Sequence, residues 1–260
     1  MEKFSIKNRY GLRISGEIHK SENSVGLAFV LHGLGGSMKQ IFIKTMGQTF
    51  FENGYTVVSF DNTNSNGSSE GNYENATVKS YYDDFIDIIN WAKSQDWYLE
   101  PFVVSGASLG GYSALRYAEE NSNEVKAIFS IAGLISGKLN YDANLKIKPE
   151  KIQKWKATGW LEEKSISNPG LIKRLPWSHM EERLTHDLIP KISSITMPVL
   201  LVVGSNDLTH IEDQNILMNI LPESTPKELH VVEGAPHDFL EESHLNELKN
   251  ILNKWVKKLK

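Results

Sequence analysis

The sequence contains no cysteine among its 260 residues. Disulfides, thiolate nucleophiles and cysteine-bound metals are therefore excluded. No apolar run approaches the roughly 20 residues that a membrane-spanning helix needs, and the first ten residues lack the apolar core of a signal peptide. We therefore expect a cytoplasmic protein without a membrane span.

Excess positive charge is also missing. The 28 basic and 32 acidic side chains give a formal net charge of -4. Because the two signs are interspersed, the chain offers no basic stripe for nucleic acid. The 40% of hydrophobic residues can bury a sizeable core at this length. We expect one domain, residues 1–260, with a small-molecule substrate and no nucleic-acid partner.

Apolar runs of strand length alternate with helix-like segments from residue 25 onward. This alternation predicts the α/β class, with a mostly parallel sheet covered by helices on both faces. An N-terminal hairpin over residues 3–19 brings the expected number of strands to eight. The other predicted strands are 25–31, 55–60, 102–104, 125–131, 198–203 and 228–232, and the predicted helices include 40–53, 78–97, 149–158 and 240–259.

Residues 133–194 break the alternation. This stretch is rich in lysine, contains several prolines and glycines, and is too long for an ordinary connection between a helix and a strand. We interpret it as a cap inserted after the sixth strand, over the edge of the sheet where the active site is expected.

Ser108 lies in the stretch Gly-Ala-Ser-Leu-Gly, between an apolar strand and a helical pattern. A serine at a sharp strand-to-helix turn forms a nucleophile elbow, which exposes its hydroxyl above the sheet. Gly106 and Gly110 fit this turn because strand and helix leave no room there for side chains. The amide of Leu109 would open the helix, where free N–H groups favour an anion.

A second Gly-x-Ser-x-Gly match occurs at residues 67–71. Its serine, Ser69, lies in a loop rich in serine, asparagine and glycine, and no helix begins there. We therefore interpret Ser69 as a loop residue. Ser108 also has an alternative to the role of nucleophile, which is that of a small residue in a turn that opens a helix.

Two polar residues, Asp207 and His237, directly follow later predicted strands. The order Ser, Asp, His is the one that this sheet topology produces. A serine nucleophile needs an imidazole to accept its proton, and the imidazole needs a carboxylate to fix its tautomer. Asp207 alone could be a turn residue and His237 alone a solvated one, but three such residues at three strand ends favour a catalytic triad.

Other titratable residues fit a catalytic role less well. Asp213 falls in the next helix, His210 does not follow the last strand, and His244 lies inside the terminal helix. Without a tight ligand spacing, no metal site is expected from the three candidates in the cap, His179, His186 and Asp187.

From about residue 25 to the C-terminus the chain resembles an α/β-hydrolase. The motifs that carry the resemblance are residues 32–36, 106–111, 204–207 and 234–237. The resemblance implies a nucleophilic Ser108, a base His237 and an orienting Asp207, without a cofactor. It also assigns the oxyanion hole to the backbone amides of Leu34 and Leu109.

Among the branches of this family, the chain is most similar to small capped esterases of the cinnamoyl (feruloyl) kind. Monoacylglycerol lipases and serine aminopeptidases are neighbouring branches. These branches usually carry an Arg-Gly-His-Gly type loop after the fourth strand, whereas this chain has Asp-Asn-Thr-Asn-Ser-Asn-Gly at residues 61–67. The departure leaves the polarity of the pocket open at that point.

We expect a serine hydrolase that cleaves a small or medium carboxylic ester through an acyl-enzyme. A serine aminopeptidase is the nearest alternative, and an acidic pocket formed by Glu162 and Glu163 would favour it. A non-catalytic ligand-binding relative is the alternative from another class. In the cap, the tryptophans either form a small core or, for Trp155 and Trp160, line an acyl pocket as the resemblance suggests.

Overall fold

An eight-stranded sheet forms the centre of the computed structural model, which describes residues 1–164, 170 and 172–259. The strands are β1 (Glu2–Lys7), β2 (Arg13–His19), β3 (Leu27–Leu31), β4 (Thr56–Asp61), β5 (Phe102–Ala107), β6 (Val125–Ile131), β9 (Val199–Gly204) and β10 (Lys227–Val232). The number of strands and the fold class agree with the prediction from the sequence. The strand order is β1-β2-β4-β3-β5-β6-β9-β10. β2 pairs antiparallel with β1 and β4, and the remaining neighbours pair parallel.

Helices cover both faces of this sheet. Side chains of the central strands alternate between the two faces, so that Phe29 of β3 packs in one core and Val30 in the other. The first core is closed by α2 (Val78–Ala92), α3 (Leu109–Glu120) and α7 (Ile211–Ile220), and the second by α1 (Ile41–Glu52) and α8 (Glu242–Val256).

Residues 133–194, which the sequence predicts to form a cap and which are called the cap segment below, lie between β6 and β9. The predicted helix over residues 149–158 is confirmed with its bounds, and Gly159 ends it in a left-handed conformation (φ 75°). The sequence did not predict the other elements. The segment contains α4 (Gly137–Ile147), α5 (Pro149–Thr158), a hairpin of β7 (Trp160–Lys164) and β8 (Ile172–Pro176), and α6 (Trp177–Arg183).

The prediction of a helix over residues 78–97 is wrong at its end, since α2 stops at Ala92. The amide of Ser94 bonds the carbonyl of Trp91, and that of Gln95 bonds the carbonyl of Ala92. These tight turns replace the helix where the sequence becomes polar. Among the described residues, no helix is long and apolar enough to cross a membrane.

Candidate active site

Ser108 occupies the predicted strand-to-helix turn, between the end of β5 and the start of α3. Its backbone has φ 53° and ψ -115°, a conformation that costs free energy for a residue with a side chain. Two hydrogen bonds hold it there. The amide of Ser108 donates to the carbonyl of Ile131 (2.8 Å), and the amide of Leu134 donates to the carbonyl of Ser108 (3.1 Å).

The glycines on either side of Ser108 are needed for space. A Cβ on Gly106 would lie 2.3 Å from the carbonyl of Gly110, and one on Gly110 would lie 2.6 Å from the carbonyl oxygen of Leu31. Both distances are shorter than any tolerated contact. A Cβ on Gly33 would lie 3.0 Å from the Cβ of Ser108, so the loop after β3 also approaches the serine closely.

The loop after β3 contributes the amide of Leu34. His32, which is fully buried, fixes its start, with Nδ1 2.7 Å from the carbonyl oxygen of Gly33. The Nε2 of His32 accepts a hydrogen bond from the amide of Asn62 (3.0 Å), and Asn66 donates to the carbonyl of Gly35 (2.6 Å). The unusual residues 61–67 thus support this loop, and among the described residues they line neither cavity beside Ser108.

Asp207 and His237 meet at the ends of β9 and β10. The Nδ1 of His237 lies 2.5 Å from Oδ2 of Asp207, whose carboxylate is buried. Burial would raise the pKa of Asp207, but hydrogen bonds from His210 and His237 outweigh it and hold that pKa well below its usual range. Burial would lower the pKa of His237, but the bond to Asp207 and its charge raise it.

His210 is a second imidazole on the same carboxylate. Its Nδ1 lies 2.9 Å from Oδ1 of Asp207, and its ring stacks on that of His237 with centroids 4.5 Å apart. Burial lowers the pKa of His210, which keeps the ring neutral. Sequence reasoning set this residue aside because it does not follow a strand. The spacing of three residues after Asp207, at the start of α7, was the signal that could have found it.

A chain of hydrogen bonds leads from His210 into the cap segment. Asn140 in α4 contacts Nε2 of His210 through its Nδ2 (3.3 Å) and accepts from Nη1 of Arg183 through its Oδ1 (3.0 Å). Nη2 of Arg183 donates to Nε2 of His179 (2.8 Å), and Nδ1 of His179 donates to the carbonyl of Ala76 (2.7 Å). Both ring nitrogens of His210 are therefore occupied.

His237 is placed differently, because no described residue bonds its Nε2. Together with Ser108 and Leu34 it lines two adjoining cavities of about 460 and 450 Å³, the first of which also includes Leu109. These volumes are within the usual range for small-molecule sites. The residues of the predicted triad and the two leucines predicted to supply oxyanion donors therefore line one cavity: Ser108, Asp207, His237, Leu34 and Leu109.

The structure also shows the surroundings of Ser69 and of the candidate metal ligands in the cap segment. The hydroxyl of Ser69 donates to the carbonyl of Asp61 and accepts from the amide of Ser15, which fits the loop interpretation. In the cap, His179 and His186 bond different partners and form no cluster with Asp187. The group of described residues whose ligand atoms would suit a metal, within 4.8 Å of one another, is Asp207, His210 and His237.

The structure does not bring the cap tryptophans to Ser108. Trp155 is 4% exposed and packs edge-on against Trp177, with centroids 5.5 Å apart. Trp160 stacks instead under the guanidinium of Arg174, 4.3 Å from its ring centre. Among the described residues, neither Trp155 nor Trp160 lines a cavity beside Ser108. Trp155 therefore belongs to the small core that the packing alternative describes, whereas Trp160 lies outside that core. Neither position supports the acyl-pocket alternative.

Trp155→Ala should consequently lower the free energy of unfolding by about 3–5 kcal/mol, since a large buried ring is lost from a small core. Trp160→Ala, the matched control, should cost less because its ring is partly exposed. Urea unfolding followed by circular dichroism measures both. A Trp155→Ala protein of unchanged stability, with a more than tenfold shift in its preference between aryl and acetyl esters, would contradict the packing interpretation.

Residues 29–159 match the family model of the alpha/beta hydrolase fold, which is just over half of the chain. The chain belongs to this family. Among solved structures, this chain is similar to Est1E from Butyrivibrio proteoclasticus with bound ferulic acid (TM-score 0.80, 18% identity, 98% of each chain). It is also similar to alpha/beta hydrolase domain-containing protein 10 from mouse (TM-score 0.78, 21% identity, 100% of each chain). At these identities the likeness concerns the fold.

Curated relatives of this chain include the mitochondrial palmitoyl-protein thioesterase ABHD10 of Mus musculus. The two are 26% identical over 177 residues, which is 68% of this chain and 54% of that protein. An uncharacterized 31.7 kDa protein of Escherichia coli, from the traX-finO intergenic region, is 23% identical over 261 residues, covering 89% of this chain and 90% of that protein. The chain spans about half the length of the thioesterase relatives that it matches.

Proposed function

We propose that the protein is a serine hydrolase that cleaves a small or medium carboxylic ester through an acyl-enzyme. The observation that carries the proposal is the contact of 2.5 Å between Asp207 and His237, beside a cavity that Ser108 also lines. A serine on a strained elbow, an imidazole with a free Nε2 and a buried carboxylate are the parts that acyl transfer requires.

In the proposed reaction, Nε2 of His237 takes the hydroxyl proton of Ser108 while the oxygen attacks the ester carbonyl. The amides of Leu34 and Leu109 would donate to the resulting oxyanion, an effect usually worth about 3–4 kcal/mol per donor. Asp207 would stabilise the imidazolium, which then gives its proton to the departing alcohol. Water would repeat the same steps to release the acid and restore Ser108.

The distribution of acidic groups favours ester over aminopeptidase chemistry. A substrate amine would need a carboxylate in the cavity, but Glu162 and Glu163 lie on β7, where they contact Arg174 and Lys151. Among the described residues that line the two cavities beside Ser108, the acidic side chains are Asp207 and Asp238. Asp207 is bonded by His210 and His237, and Asp238 lines the second cavity together with Lys39 and Lys173. The similarity to Est1E, solved with bound ferulic acid, and to a palmitoyl-protein thioesterase supports acyl transfer as the proposed chemistry.

A substrate panel tests the proposed function. The purified protein should hydrolyse p-nitrophenyl esters of two to eight acyl carbons faster than aminoacyl anilides, with an acyl thioester as a third class of probe. The rates should not change with EDTA, because Asp207 is used to orient His237 and not to bind a metal. Faster anilide than ester hydrolysis would favour the aminopeptidase, and no turnover of any probe would favour the non-catalytic relative.

The ester kcat/KM should fall as the pH is lowered, because only neutral His237 can accept the proton of Ser108. Since its pKa is raised, the midpoint should lie above the ordinary imidazole value of about 6.5. Activity is then full above the midpoint and drops about tenfold per pH unit below it. Rates measured between pH 5 and 9 check this, and a flat profile down to pH 5 would contradict the role of His237.

A further inference from the structure

The cavity beside Ser108 carries an excess of positive charge. Arg183 and Lys148 both line it, whereas Asp207 is the one carboxylate among the described residues that do so. Both oxygens of Asp207 are already bonded by imidazole nitrogens. Two cations therefore face one carboxylate, and protonation of either histidine would only add to the positive charge of the cavity.

Arg183 is unusual in this chain because it has no carboxylate partner within 4.0 Å among the described residues. Glu182, its neighbour, instead accepts from the amides of Val78 and Lys79 at the start of α2. The remaining arginines all form ion pairs: Arg9, Arg13, Arg116 and Arg174. A partly buried guanidinium without a counterion is costly.

The guanidinium is also held in one orientation. Nη1 donates to Asn140 and Nη2 to His179, while the buried Nε has no acceptor. Burial lowers the pKa of Arg183, although an arginine stays protonated. The backbone of Arg183 is closely packed as well, because a Cβ on Gly137 would lie 1.8 Å from the carbonyl oxygen of Arg183. A cation that is oriented by two hydrogen bonds, without a carboxylate partner among the described residues, therefore lines the cavity.

We propose that Arg183 binds an anionic group of the substrate, so that the preferred ester carries a carboxylate in its acyl or its alcohol part. This inference rests on the proposed ester hydrolysis. Each terminal nitrogen of the guanidinium carries a second N–H beyond the one bonded to Asn140 or His179, and these can donate to a carboxylate. The substrate would thereby supply the counterion that the described residues do not provide. Apolar side chains of the same cavity would contact the carbon chain between the ester and the carboxylate: Leu134, Ile147 and Leu208.

Two matched pairs of esters test the preference and distinguish the two positions of the charge. In the first pair, mono-p-nitrophenyl glutarate carries a carboxylate in its acyl part, and p-nitrophenyl pentanoate is its neutral counterpart. In the second pair, 3-acetoxybenzoate carries the carboxylate in its alcohol part, and its methyl ester is the neutral counterpart. After division by the uncatalysed rate, the wild-type kcat/KM should be at least tenfold higher for the anionic member of one pair. Equal values in both pairs would overturn the proposal.

Variants then assign the preference to Arg183. In Arg183→Gln the ratio of anionic to neutral ester should fall to one or below, and Arg183→Lys should give an intermediate ratio. The ratio is the readout because Arg183 also holds Asn140, and a general loss of activity cancels in it. Arg174→Gln, an exposed arginine of the same cap, should keep the wild-type ratio. Equal losses on both members, with a lower melting temperature, would make Arg183 purely structural.

A binding measurement separates this inference from the proposed function. Ser108→Ala protein titrated calorimetrically with glutarate and with 3-hydroxybenzoate should bind one of them, at least tenfold more weakly once Arg183→Gln is added. Such binding in a protein that hydrolyses no ester would refute the proposed function and keep the anionic subsite. Ester turnover without charge preference and without binding of either anion would refute the subsite alone.

Discussion

Ser108→Ala should reduce ester turnover by about 10⁴ to 10⁶-fold, because removing a nucleophile leaves only the binding and oxyanion contributions. The rate of p-nitrophenyl butyrate hydrolysis at saturating substrate measures this. The free energy of unfolding should change little or increase. The hydrogen bonds that hold the turn, to Ile131 and Leu134, use backbone groups of residue 108 and remain in the alanine variant.

Ser69→Ala is the matched control, since it alters the serine of the second Gly-x-Ser-x-Gly match. It should keep the wild-type rate. Its hydroxyl bonds the carbonyl of Asp61 and the amide of Ser15, so some stability is lost instead. A Ser108→Ala protein with more than a tenth of the wild-type rate would remove Ser108 from the role of nucleophile.

Asp207→Asn should lower kcat by about 10⁴-fold, because an amide can hold His237 in the wrong tautomer and cannot stabilise its charge. The charge of Asp207 raises the pKa of His237, so the remaining activity should persist to lower pH than in the wild type. Stopped assays between pH 5 and 9 give both results.

Asp213→Asn is the control for this carboxylate. Asp213 is buried in α7 and burial raises its pKa to about 7, which makes it the other candidate acid of the region. Its replacement should leave the ester rate within a few-fold of wild type. Near-full activity in Asp207→Asn, with a large loss in Asp213→Asn, would transfer the orienting role to Asp213.

The parts of the site that the sequence predicted all lie at strand ends. Apolar runs give the positions of strands, and parallel strands end at one edge of a sheet. The order of strands along the chain is therefore enough to predict that Ser108, Asp207 and His237 lie close together. The elbow glycines were predictable for the same reason, since the crowding around Gly106 and Gly110 follows from a strand that turns directly into a helix.

The parts that were not predicted depend on contacts between distant segments. Asn140 lies on α4, Arg183 on α6 and His210 directly before α7, and the hydrogen bonds that join them span up to 70 residues of chain. No periodicity encodes such contacts. The sequence left the role of the cap tryptophans open for a related reason. Trp155 packs against Trp177, the first residue of α6, which the sequence did not predict.

The most direct test of the account is covalent labelling with a fluorophosphonate, read by intact mass and peptide mapping. The proposed activation of Ser108 predicts one added phosphonyl group per chain, located on the peptide that contains Ser108, with labelling slowed strongly in His237→Gln and unaffected in Ser69→Ala. A protein that remains unlabelled, or that carries its label on another residue when Ser108 is present, would contradict the central claim.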